Sequence, residues 1–153
     1  MWKYTGRATL VAAATAGLLL GATTPASAMT PFKPTYTLAT GWTCAGQIDA
    51  TALSGQGITR SGEAEMRLRG TFWSATPGSH QSGCTVTTTV EWRNLDTGAG
   101  GSAATVVAGG PSGQPGPEVG LTLATGAGRI EATIRTTPLA HLASTGEFAV
   151  SEF

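Results

Sequence analysis

The stretch from Gly62 to Arg93 constrains the fold more than any other part of the chain, because apolar and polar residues alternate along most of it. A middle segment rich in Gly, Ser and Pro divides the stretch into two runs. The alternate positions that carry apolar or small side chains are Ala64, Met66, Leu68, Gly70 and Phe72 in the first run, and Cys84, Val86, Thr88, Val90 and Trp92 in the second. An alternation of period two places one face of a strand on a core and the other in water. The stretch therefore predicts two long β-strands.

We expect these two strands to pair as a hairpin, and their charges favour one register. If Glu65 lies opposite Arg93, then Arg67 lies opposite Glu91, so both cross-strand pairs are of opposite charge. A shift of two residues would instead place Glu65 against Glu91, and like charges directly opposite are destabilising. The charge pattern therefore predicts the first register.

A second hairpin is predicted further along the chain. Val119 to Leu123 alternates into the sequence Thr-Gly-Ala-Gly, and Ile130 to Ile134 alternates out of it. Two alternating runs separated by a short glycine-containing turn are typical of a β-hairpin.

The remaining patterns complete an all-β domain. Short alternating or Val/Thr-rich runs predict further strands, and we expect a single helical turn at Leu139 to Ala143. The segment from Gly109 to Pro117 contains four glycines and three prolines, which predicts a loop or a crossing between sheets. About eight strands result, so we expect residues 35–153 to form one antiparallel β-sandwich or a small, partly open β-barrel.

Residues 1–28 have the features of a cleaved signal peptide. Lys3 and Arg7 precede a 13-residue apolar run, and Ala26-Ser27-Ala28 is a small-x-small cleavage sequence. The run is short for a membrane span, which disfavours a retained anchor. We therefore expect cleavage after Ala28, a secreted protein, and an N-terminal leader at residues 29–34.

The chain contains two cysteines, Cys44 and Cys84. In an exported chain they are expected to form one disulfide. The bond would close a loop of about 41 residues and stabilise the fold by roughly 4 kcal/mol in the chain-entropy model.

The charge balance argues against two classes of partner. Residues 29–153 carry seven Lys and Arg and nine Asp and Glu, for a net charge of −2. Nucleic acids and anionic membranes bind concentrated basic surfaces. We therefore expect neither as a partner once the signal peptide is removed.

No catalytic or metal-binding constellation stands out. His80 and His141 are the only histidines, and neither has an acidic residue at ligand spacing on the same element, so we predict no metal and no cofactor. Glu63 and Glu65 lie on one strand face and could resemble a glycosidase pair. Arginines share that face and favour ionised carboxylates, so we interpret the two residues as part of a solvated charge stripe.

The aromatic residues are the best candidates for a binding site. Trp42, Trp73 and Tyr36 could be exposed on a β surface, where aromatic rings stack on sugars or fill a partner's pocket. For Trp42, packing against the neighbouring disulfide is the competing interpretation. Trp73 either points outward beside Thr71 or begins the loop after Phe72.

The arrangement also resembles a family. It consists of Trp42-Thr43-Cys44-Ala45-Gly46, a Gly-rich loop, a second cysteine near a long strand, and Val90-Glu91-Trp92. It is similar to small exported all-β proteins of actinobacteria whose function is uncharacterised, and the similarity covers residues 36–108. The resemblance implies export, one disulfide and an all-β fold, and it brings no activity with it.

Three functional hypotheses follow. The first is a non-enzymatic extracellular module that binds a protein, a glycan or a cell-wall component through one sheet face or loop end. The second is a small secreted hydrolase, which would need a pocket joining a histidine to a carboxylate. The third is a protease inhibitor, for which the loop from Gly109 to Pro117 contains too much glycine to be preorganised.

Overall fold

Two antiparallel β-sheets face each other in a computed structural model that describes residues 28–39, 44–74, 83–110, 113–137 and 140–153. The ten strands of these residues are β1 (Ala28–Pro31), β2 (Thr35–Ala39), β3 (Cys44–Ser54), β4 (Ala64–Ser74), β5 (Thr85–Asn94), β6 (Gly100–Ala108), β7 (Val119–Leu123), β8 (Gly128–Thr137), β9 (Ala140–Leu142) and β10 (Ser144–Val150). Sheet A has the order β7-β4-β3-β2-β9, and β1 also pairs with β3. Sheet B has the order β10-β8-β5-β6. The fold is a β-sandwich, one of the two predicted architectures, and it does not close into a barrel.

The described part of the chain contains no α-helix, and hence none long and apolar enough to cross a membrane. Where a helical turn was expected, between residues 139 and 143, the chain forms β9.

The core lies between the two sheets. The alternation of β4 and β5 correctly predicted which residues face it. Met66, Leu68 and Phe72 of β4 are buried, as are Val86 and Val90 of β5. Ile48, Val107, Leu123, Ile130 and Ile134 complete the centre. Burial of this apolar surface from both sheets is the main term that stabilises such a fold.

The predicted hairpin between β4 and β5 is wrong, although both strands exist. β4 pairs with β3 and β7 in sheet A, whereas β5 pairs with β6 and β8 in sheet B. Glu65 is therefore not opposite Arg93. Alternation reports that one face of a strand is buried, and it carries no information on which strand lies beside it. Two consecutive strands can bury their apolar faces against the same core from opposite sheets.

The second predicted hairpin is wrong for the same reason. β7 lies in sheet A beside β4, and β8 lies in sheet B between β5 and β10. The glycine-containing segment between them crosses from one sheet to the other. The segment from Gly109 to Pro117 links β6 of sheet B to β7 of sheet A, so it crosses between the sheets. This is one of the two forms predicted for it.

The predicted leader is partly a strand of the domain. Ala28–Pro31 pairs with the second half of β3, and β2 pairs with the first half. The amide of Phe32 donates to the carbonyl of Ala50 at 2.9 Å, so the hydrogen bonding continues between the two short strands. Residues 28–39 therefore run beside β3 along most of its length.

The predicted disulfide is present. Cys44, the first residue of β3, is bonded to Cys84, just before β5, with 6.0 Å between the two Cα atoms. The bond joins sheet A to sheet B, and it is compatible with an extracellular location.

Candidate functional site

Strand β2 buries two threonines and exposes a tyrosine. Thr35 and Thr37 are buried against sheet B, while the side chain of Tyr36 is 47 % exposed and Leu38 is partly exposed. A buried polar group or an exposed large apolar group is informative, whereas the reverse is expected of any strand. The orientation of β2 is therefore the first indication of a functional surface.

Of the two buried threonine hydroxyls of β2, one has a hydrogen-bond partner in sheet B and the other has none among the described residues. The hydroxyl of Thr37 is hydrogen-bonded to the hydroxyl of Thr136 in sheet B, 2.6 Å away. The hydroxyl of Thr35 is buried and has no hydrogen-bond partner among the described residues. A buried hydroxyl without a partner costs about 1–3 kcal/mol. Protein sequences accept such local conflicts mainly where another requirement overrides them, as at functional sites.

The register of sheet A places further apolar residues beside Tyr36 and Leu38. Leu142 of β9 pairs with Tyr36, and Ala45 of β3 pairs with Leu38 on one side and with Trp73 of β4 on the other. The side chain of Trp73 is 51 % exposed and that of Leu142 is 61 % exposed. We call this surface the aromatic face, and its members are Tyr36, Leu38, Ala45, Trp73 and Leu142.

The two aromatic rings are separated by a strand. Tyr36 and Trp73 both align with residues of β3, two strands apart and offset by two residues, so their Cα atoms lie about 12 Å apart by strand geometry. Gln47 of β3 lies between Tyr36 and Thr71 in the same row. The Gln47 side-chain amide donates to a carboxylate oxygen of Asp49 at 3.0 Å. Hydrogen-bonding groups thus lie on the side of Tyr36.

The indole of Trp73 is supported by the crossing between β6 and β7. A Cβ atom added to Gly113 would lie 2.5 Å from Cδ1 and 2.6 Å from Nε1 of Trp73, so the glycine backbone is in close contact with the ring. Gly113 also has a φ of 77°, which a side chain rarely adopts. The amide of Gly116 in the same crossing donates to the carbonyl of Gly70 at 2.8 Å. These contacts hold the ring against β4.

The other half of the same sheet face is charged. Arg67 contacts Glu65 at 3.0 Å and Glu118 at 3.6 Å, and Arg69 contacts Glu118 at 3.4 Å. All four side chains are partly exposed, so the network is solvated. The outer face of sheet A is therefore divided into an aromatic end, with Asp49 at its border, and an end that carries an ion-pair network.

Two open clefts border this face. A cleft of about 570 Å³ adjoins the aromatic face and shares two of its residues, Tyr36 and Leu142; its other residues are Lys33, Pro34, Ala143, Ser144 and Thr145. A cleft of about 600 Å³ at the charged end is lined by Arg60, Glu63 and Glu65, together with Gly57, Ile58, Thr59 and Thr122. The structure thus places Glu63 and Glu65 in one cleft. The carboxylate of Glu65 accepts a hydrogen bond from Arg67 at 3.0 Å.

Several sequence-predicted candidates lie outside the described residues. These are Trp42, His80 and the signal-peptide region up to residue 27, and the side chain of His141 is also outside the description. Within the described residues, no group of three or more His, Cys, Asp or Glu side chains could hold a metal ion. Of the three aromatic candidates, the structure brings Tyr36 and Trp73 to one face.

Sequence reasoning missed Leu38, Leu142 and Gln47 as members of this surface. The signal was present in β2, where Thr-Tyr-Thr-Leu-Ala has two possible orientations. Only the burial of its threonines reveals which side faces water.

Comparisons with protein-family models, with curated proteins and with solved structures find no match to this chain. The functional inference therefore depends on the geometry of the aromatic face.

Proposed function

We propose that this protein is an exported, non-enzymatic binding module that holds an uncharged polysaccharide chain on the aromatic face. The observation that carries the proposal is that Tyr36 and Trp73 both point outward on the same face of sheet A, with one strand between them. A strand that buries threonines in order to expose a tyrosine and a leucine is not explained by stability.

A polysaccharide matches the chemistry of this surface. Sugar rings present flat patches of C–H groups, which pack on aromatic rings, and hydroxyl edges, which hydrogen-bond to amides and carboxylates. Tyr36 and Trp73 supply the rings, and Gln47 and Asp49 supply polar groups at the side of Tyr36. Aromatic side chains combine a large apolar area with few rotatable bonds, so little conformational entropy is lost on binding. The face is open, which suits a chain longer than the site.

Export is supported by two features. The N-terminal sequence has the pattern of a signal peptide, and the disulfide joining the two sheets is of the kind that persists in oxidising compartments. A secreted module with an aromatic face would meet polysaccharides of cell walls or of the surroundings.

Binding to insoluble and soluble polysaccharides tests the proposal. The panel should include cellulose, chitin, xylan, starch and mannan. We expect at least one of them to bind the wild-type protein, and we expect Trp73→Ala and Tyr36→Ala each to weaken that binding about tenfold, a loss of about 1.4 kcal/mol.

Leu95→Ala is the matched control for these variants. Leu95 is an exposed apolar residue in the turn between β5 and β6 of sheet B. The aromatic face lies on sheet A, so removal of the Leu95 side chain should leave the affinity unchanged. The proposal is contradicted if no polysaccharide binds, or if both aromatic variants bind as tightly as the wild type.

One observation favours a second candidate, a glycoside hydrolase. Glu63 and Glu65 line the same open cleft at the charged end of sheet A, and a pair of carboxylates is the usual requirement for glycosidic cleavage. This candidate ranks below the binding module because Glu65 is ion-paired with Arg67. The same panel tests it, since hydrolysis would release reducing ends that disappear in Glu65→Gln.

A further inference from the structure

Strand β6 forms an edge of sheet B that no described strand covers. It extends over nine residues, Gly100–Ala108, and pairs only with β5. Its sequence, GGSAATVVA, contains no charged residue and no proline. A long, uncharged edge strand is a site at which another strand can add, and most monomeric proteins block such edges.

The outer strands β7, β9 and β10 each have a feature that hinders pairing with another strand. β9 has three residues and β7 has five, which makes both short. β10 carries Glu147, and the carbonyl of its Ala149 accepts a hydrogen bond from the hydroxyl of Ser54 at 2.7 Å. Among the described strands, β6 alone combines length with an edge that is open over most of its residues. The exception is its last residue, Ala108, whose carbonyl is in close contact with the backbone of Gly116.

The hydrogen bonds that flank β6 show which of its backbone groups point toward β5 and which point to the open edge. The amide of Gly109 donates to the carbonyl of Cys84, and the amide of Asn94 donates to the carbonyl of Ala99. Because hydrogen-bonded pairs alternate in an antiparallel ladder, the odd-numbered residues of β6 point their backbone groups toward β5. The amides and carbonyls of Ser102, Ala104 and Val106 therefore point outward from the edge.

We propose that a second copy of this chain adds to β6, with the two β6 strands antiparallel about a two-fold axis at Ala104. The two four-stranded sheets then form one continuous eight-stranded sheet. In this register Ala104 lies opposite Ala104 of the partner subunit, and Ser102 lies opposite Val106 of the partner subunit. Backbone hydrogen bonds from the outward-pointing residues hold the two copies together.

The charges of the sheet are compatible with this pairing. The nearest charged residue on the outer face, Glu91, pairs with Ser102 and lies one strand inside the edge. Three strand spacings, about 14 Å, would separate the β5 strands of the two copies, which exceeds the Debye length of about 8 Å at physiological salt. Small, uncharged side chains alone meet at the junction.

A second copy fits this edge better than a peptide from another protein. Strand addition selects a foreign peptide through pockets that read its alternate side chains. The outward side chains Ser102, Ala104 and Val106 are small and uncharged, and the described clefts lie at other places in the fold. Pairing with an identical strand requires no pocket, because the two-fold axis sets the register.

The dimer has a consequence for binding that depends on the proposed function. A two-fold axis perpendicular to sheet B leaves both aromatic faces on the same side of the dimer. Two sites on one side could engage one polysaccharide surface together and raise the effective affinity.

Sedimentation of the purified protein, without sugar, tests the dimer. We expect the wild type and the control Ala104→Ser, which keeps the backbone amide, to show the same concentration-dependent monomer–dimer equilibrium. Ala104→Pro removes an outward amide without removing a bond to β5, so it should sediment as a monomer. Ala104→Lys and Ala104→Glu should each dimerise at least about fivefold more weakly, because like charges face each other.

Mixing the charged variants makes the test specific to this register. An equimolar mixture of Ala104→Lys and Ala104→Glu should recover dimers, since opposite charges then face each other. A wild-type protein that stays monomeric at several hundred micromolar overturns the proposal, as does dimerisation of Ala104→Lys at the wild-type strength. Circular dichroism confirms that each variant is folded. The polysaccharide result for Trp73→Ala is measured separately, so either proposal can fail alone.

Discussion

At the scale of single residues, Asn94 at the end of β5 stabilises the junction between a turn and a sheet crossing. Its side-chain amide is fully buried and donates to the carbonyls of Thr125 and Ala127 at 3.0 and 2.9 Å. Its carbonyl oxygen accepts from the amides of Asp96 and Thr97 at 3.0 and 3.1 Å. One side chain therefore satisfies backbone groups of both the β5–β6 turn and the β7–β8 crossing, which is how a buried polar residue avoids a desolvation cost.

The neighbouring Asp96 contacts the start of β8. Its carboxylate accepts the backbone amide of Arg129 at 2.9 Å and the guanidinium of Arg129 at 3.0 Å. The backbone hydrogen bond, followed by the guanidinium, lowers the pKa of Asp96 below its ordinary value of 3.8. Both bonds favour the charged carboxylate.

The lowered pKa of Asp96 predicts a contribution to stability that depends on pH. Because the folded-state pKa is below the unfolded value, the stabilisation is fully present well above pH 3.8 and is lost as the pH falls through the folded-state pKa. Asp96→Asn should therefore lower the free energy of unfolding at pH 7 and have a much smaller effect near about pH 2. Urea unfolding of both proteins at the two pH values measures this. An equal effect of the substitution at both pH values would contradict it.

At the scale of the elements, Phe72 of β4 shows how glycines make room for a large buried ring. A Cβ atom at Gly46, Gly70 or Gly109 would lie 2.6 to 2.7 Å from an atom of the Phe72 ring. These glycines come from β3, from β4 itself and from the start of the β6–β7 crossing. The ring occupies the space that three side chains would otherwise fill, so the glycines here are packing positions as well as turn positions.

Strand β2 offers a matched pair of substitutions on its buried side. Thr35→Val removes a buried hydroxyl that has no partner among the described residues, so we expect it to raise the free energy of unfolding by about 1 kcal/mol. Thr37→Val removes the hydrogen bond to Thr136 and leaves a buried hydroxyl behind, so we expect it to lower the free energy by about 1–2 kcal/mol. Chemical denaturation measures both changes. Equal effects of the two substitutions would show that the buried Thr35 hydroxyl does not destabilise the fold.

At the scale of the whole molecule, the Cys44–Cys84 bond is a covalent link between the two sheets. It spans 40 residues and joins the start of β3 to the residue before β5. The connection between β4 and β5 also passes from one sheet to the other. The disulfide therefore restricts the conformations of the unfolded chain over a loop that includes β4 and the β4–β5 connection. This is the connection that the sequence pattern predicts to be a hairpin turn.

Removal of the disulfide should destabilise the sandwich without changing its topology. We expect the double substitution Cys44→Ala with Cys84→Ala to lower the free energy of unfolding by about 2–4 kcal/mol, since the open chain has more conformational freedom when unfolded. Urea unfolding of the double variant measures the loss, and the wild type under reducing conditions is the control. An unchanged midpoint would contradict this expectation.

The sequence alone predicted the long strands β4, β5 and β8 and which of their residues are buried, because the period-two alternation is a local property of a strand. It also predicted the disulfide, since the chain contains only two cysteines. The candidate site was predictable in part: Tyr36 and Trp73 were recognised as aromatic candidates.

The tertiary structure alone decided which strands are neighbours and which side of β2 faces water. Alternation says that one face is buried and does not say against which sheet, so β4 and β5 were assigned to one hairpin although they lie in opposite sheets. In β2 both sides could be buried, and long-range contacts such as the Thr37–Thr136 bond select the threonine side. The aromatic face and the open edge of β6 depend on these long-range pairings, which no local pattern encodes.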